Sequence, residues 1–93
     1  MKREEFLIYY LLYAIDAANI KKQNLVHMAL KTDSVDFVRI YNVIQQHDEA
    51  TRKSIITSCL KDFNKEEMIE EIKNTILADF EIDMQAAILE TLN

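Results

Sequence analysis

The 93-residue chain contains neither glycine nor proline, and that double absence narrows its fold class more than any motif in it. Average usage of the two is about 7% and 5%, so roughly ten such residues would be expected at this length. Tight hairpin turns, β-bulges and phosphate-cradling loops use glycine for backbone conformations that a Cβ disfavours. A chain without it is most economically built from helices joined by short asparagine or aspartate turns. The length fits one domain with a single modest core, and a hydrophobic content of 49% argues against intrinsic disorder.

The central element of such a domain is the run FLIYYLLYAI, from Phe6 to Ile15, which holds no charged or amide side chain. It predicts a first helix from about Glu4 to Ile20. On a helical wheel Phe6, Leu7, Tyr10, Leu11, Tyr13, Ala14, Ile15, Ala17 and Ala18 fill about half the circumference, wider than the usual amphipathic stripe. Glu5, Tyr9, Leu12, Asp16 and Asn19 fall on the remaining strip, the one expected to meet water. Burying the run is worth on the order of 15 kcal/mol gross, so exposure is untenable. A membrane span needs about 20 apolar residues, and Asp16, Asn19, Lys21 and Lys22 end this run too soon. Glu4 and Glu5 in its flank are equally unlike the basic start of a signal peptide.

Further segments follow at helical spacing. Asn24 is a candidate cap for a short second helix, Leu25 to Lys31, with His27 pointing outward. Thr32, Asp33 and Ser34 signal a third, ending near His47, in which Phe37, Val38, Ile40, Tyr41, Val43 and Ile44 are candidate core. Asp48 caps a fourth that runs to about Phe63, with Ile55, Ile56, Cys59, Leu60 and Phe63 on its apolar arc. Asn64 with Glu67 three residues on resembles a capping box and opens a fifth. Met68, Ile69, Ile72, Ile76 and Phe80 line one side of it. A break between Ala78 and Asp83 separates a sixth, capped by Asp79 or Asp83 and burying Ile82, Ala86, Ile88, Leu89 and Leu92. The reading is an all-α fold: a compact bundle-like or orthogonal array of five to six short antiparallel helices around a central hydrophobic N-terminal helix.

No catalytic or cofactor chemistry assembles from these residues. His27, His47 and Cys59 are isolated singletons without HExxH or CxxC spacing, so zinc ligation is not indicated. The Glu-x-x-His pairs of di-iron bundles are missing, and a chain without glycine carries no P-loop or dinucleotide fingerprint. Cys59 reads as a small core residue and not as a nucleophile. As the single cysteine it also excludes an internal disulfide and favours a cytoplasmic address. From Ile40 to Leu92 the order of apolar and charged residues, as in VIQQHDEATRKSI and EEIKNTILADFE, loosely resembles an annexin repeat. The glycine-containing calcium loop of that family is replaced here by Ala29-Leu30-Lys31-Thr32-Asp33, so the resemblance implies neither calcium nor membrane binding.

Charge is the remaining guide. Net charge is −5, but residues 1–31, 32–63 and 64–93 carry +2, −1 and −6. An acidic end disfavours direct contact with nucleic acid or anionic lipid. Glu66, Glu67, Glu70 and Glu71 make two like-charged i,i+4 pairs, each unfavourable by a few tenths of a kcal/mol in an isolated helix. Together they suggest a docking face for a basic partner, which Asp79, Glu81 and Asp83 would extend. Arg52 interrupts the apolar arc of the fourth helix. Either its methylenes cover the core edge, or it pairs with a carboxylate across a helix interface or on a partner. These features suggest a small, soluble, non-enzymatic protein that binds another protein as regulator, inhibitor or adaptor. Two alternatives are an acidic decoy that blocks a nucleic-acid-binding enzyme, and a homodimer formed through a Tyr9, Leu12 and Tyr13 edge.

Overall fold

The computed structural model describes residues 1–18, 34–75 and 81–93, and for 34–36 and 75 the backbone alone. Among these lie five α-helices and no strand: α1 (Arg3–Ala17), α2 (Ser34–Gln46), α3 (Glu49–Asp62), α4 (Lys65–Thr75) and α5 (Ile82–Leu92). The fold is all-α and built around α1, which touches every other helix and packs most extensively on α2 and α5. The sequence-predicted helix from Leu25 to Lys31, its cap Asn24, and His27 lie outside the described residues. So do Asn19, Ile76, Asp79 and Phe80.

Local signals set most of the helix ends. Glu5 reaches back to accept the Lys2 amide at 3.1 Å, and with Glu4 it puts negative charge at the positive end of α1. The Asp48 carboxylate caps α3 by accepting the Thr51 amide at 2.8 Å. The Asn64 side chain caps α4 through the Glu67 amide at 3.0 Å. Two ends differ from the sequence reading. α1 stops at Ala17, with Ala18 as its C-cap, three residues before the expected end. Glu81 is the N-cap of α5, which leaves Asp83 inside the first turn.

The core is a single cluster to which all five helices contribute, with nine of its buried members from α1. Phe6 stacks on Tyr10 of the same helix at 5.5 Å and on Phe63, beyond α3, at 5.6 Å. Phe37, Ile40 and Ile44 bring in α2, Ile56 α3, Met68 and Ile72 α4, and Ile88 and Leu92 α5. Four residues predicted to lie on buried faces are exposed instead: Ala17, Val38 at 52%, Ile82 at 82%, and Ala86. Ile82 is the first residue of α5, whose buried residues are Ile88 and Leu92. Cys59 is half-buried against the cluster.

Candidate functional site

Part of the strip of α1 that the wheel assigns to water is covered. Tyr9 is 0% and Leu12 4% exposed, and the neighbouring Tyr13 is half-buried, while Asp16 stays exposed. The reason is a seam of polar contacts between this strip and the α2–α3 pair. Glu5 accepts from Arg39 of α2 at 2.7 Å. The Tyr9 hydroxyl lies 2.8 Å from Nδ1 of His47, between α2 and α3. Tyr13 donates to Glu49 of α3 at 3.3 Å, and Asp16 pairs with Arg52 of α3 at 2.8 Å. At successive spacings of four, four and three, each polar group on α1 meets a complement. The strip buries its carbon while its heteroatoms stay satisfied.

Arg52 is therefore an internal clamp. Its Nε donates to the Ile44 carbonyl near the end of α2 at 3.0 Å while Nη1 holds Asp16 near the end of α1. Of the two sequence readings, pairing across a helix interface is the one observed, with a side chain only 13% exposed. Titration behaviour follows from the seam. Arg39, and then the Lys2 amide, hold the Glu5 carboxyl below its usual range. Burial raises the Tyr9 and Tyr10 phenols, and burial together with the Glu49 charge raises Tyr13.

The acidic face lies on α4, and the structure divides it. Glu71 turns to Arg3 of α1 in an ion pair at 2.5 Å, which raises the Arg3 guanidinium further. Glu66, Glu67 and Glu70 are exposed. Among the described residues none of the three has an ion-pair partner, and Glu70 accepts only a long bond from Asn74 at 3.4 Å. Lys65 is turned to the Asn93 carbonyl at 3.2 Å. Glu81 and Asp83 are exposed on either side of Ile82. Exposed carboxylates of this kind only accept, and an exposed ion pair formed by one contributes about 0.2–1 kcal/mol.

Burial raises the Cys59 thiol, the opposite of what a nucleophile requires. Among the described residues no three His, Cys, Asp or Glu side chains converge as a metal set, and no helix is long and apolar enough to cross a membrane. No protein-family model matches the sequence, and comparison with curated proteins and with solved structures gives no significant match.

Proposed function

We propose that this chain is a protein-binding regulator, inhibitor or adaptor without catalytic activity, and that it holds a basic partner protein through the outer face of α4. The observation behind this reading is the division of the glutamate cluster. Glu71 is used inside the fold, whereas Glu66, Glu67 and Glu70 stay outward and form no ion pair among the described residues. Ile82, flanked by Glu81 and Asp83, adds an exposed apolar group within an acidic surround, a combination suited to a small anchored contact. A cytoplasmic address belongs to the same reading and rests on the single cysteine.

The test compares the wild-type chain with Glu66→Lys/Glu67→Lys/Glu70→Lys in capture from a native extract, with circular dichroism as a check on folding. The expected result is a defined basic protein retained by the wild type, released as salt rises and lost from the folded variant. Identical retention by both chains would overturn the assignment of the face. The acidic-decoy alternative uses the same glutamates. It predicts in addition that DNA or RNA competes with the chain for that partner.

A further inference from the structure

A cleft of about 290 Å³ opens on the side of the molecule where α1, α3, the start of α4 and the end of α5 meet. It takes in residues of the core and residues of the surface. Tyr10, Ile56 and Leu92 are buried and Leu60 half-buried, while Lys53, Thr57 and Lys65 are exposed. The volume holds roughly ten water-sized groups, at the small end of ligand pockets, which pair apolar walls with a few polar groups.

The lysines at the rim indicate the sign of the ligand. Several acceptors at this end of α5 are engaged: Leu92 O receives the Tyr10 hydroxyl at 2.7 Å, Asn93 O receives Lys65, and Leu89 O receives both the amide and the side chain of Asn93. The Thr91 hydroxyl donates to Ala87. Donors are left over. Each lysine ammonium carries three N–H groups; Lys65 gives one to Asn93, and Lys53 has Glu49 only at 3.8 Å, well beyond a charge-assisted bond of about 2.7–2.9 Å. Two lysine head groups thus stand at the rim of an apolar floor, with Glu49 beside Lys53.

We infer that the cleft binds a small amphipathic anion, a carboxylate carrying a short hydrocarbon or aromatic body, with Lys65 and Lys53 on the carboxylate and the body against Tyr10, Ile56 and Leu60. This site is separate from the acidic face and does not depend on the function proposed for it. The test is an amide NMR titration of the full chain with octanoate, octanol and octylammonium in parallel. Saturable shifts at Thr57, Lys65 and Thr91 are expected with octanoate, weaker ones with octanol, and none with octylammonium. Lys65→Gln should weaken octanoate about fivefold, the effect of one exposed charge contact, and leave octanol unchanged. Thr57→Phe, which fills the mouth from an exposed position, should weaken both. Absence of saturable shifts at these residues, or equal response to all three head groups, would overturn the inference.

Discussion

The Tyr9–His47 contact gives the sharpest test of the seam, because its two sides are unequally buried. Tyr9 is fully buried, and its hydroxyl has the His47 ring as its partner, whereas His47 is half-exposed. Replacing Tyr9 with Phe removes the hydroxyl but keeps the ring, whose centroid sits 5.9 Å from that of His47, and water can reach the freed imidazole nitrogen. The loss is that of one ordinary hydrogen bond, about 0.5–1.5 kcal/mol. His47→Leu is the harsher change. The new side chain still covers Tyr9 but offers no acceptor, stranding a buried hydroxyl at about 1–3 kcal/mol. In the double variant both polar atoms are gone, and its stability should return to within about 1 kcal/mol of the wild type. Urea unfolding followed by far-ultraviolet circular dichroism reads all four chains, with equal m-values as the check on comparability. Additive single effects, or a His47→Leu loss no larger than that of Tyr9→Phe, would show that the hydroxyl is not sealed from water and refute the reasoning.

Three further outcomes follow from the same packing. Ile72→Ala in the fully buried part of α4 should cost about 2–5 kcal/mol, against under about 0.5 for Val38→Ala at an exposed position, both read from thermal and urea midpoints. Arg52→Ala should cost about 1–3 kcal/mol, since it frees the Ile44 carbonyl as well as Asp16; Asp16→Asn, at a carboxylate 61% exposed, should cost under about 1. Hydrogen bonds from Thr51 hold the Asp48 carboxyl below its usual value, so the unfolded chain takes up its proton first on acidification. The stability from this cap is complete above about pH 5 and is lost as the pH falls through the lowered value. Asp48→Asn, which keeps a cap acceptor, should leave the neutral-pH midpoint nearly unchanged and flatten part of the acid limb; an unaltered limb would remove Asp48 from the account.

The elements were legible where the signal was local. Asp48 and Asn64 cap the helices they were expected to cap, because an oxygen-bearing side chain ahead of an apolar-periodic run is a signal confined to a few residues. α1 was legible as a buried helix from its composition, but its wet face was not. Glu5, Tyr9 and Asp16 look like a solvent strip on a wheel, and whether they meet water or Arg39, His47 and Arg52 depends on residues 34 to 38 positions away. Ile82 and Ala86 fit an apolar period and are still exposed, because α5 turns Ile88 and Leu92 to the core instead. The acidic cluster was visible in full. Its division, with Glu71 drawn inward, rests on Arg3 at the opposite end of the sequence.

The bond from the Tyr10 hydroxyl to the Leu92 carbonyl spans 82 positions, and α5 is one of the two principal covers of α1. During synthesis the oiliest segment leaves the ribosome well before one of its two main lids does. A nascent chain that has not yet exposed residues 88–92 cannot close its core, and it must be shielded until they are free to dock. Stalled or clipped products ending before Ile88 should accordingly be among the most aggregation-prone species this sequence can produce.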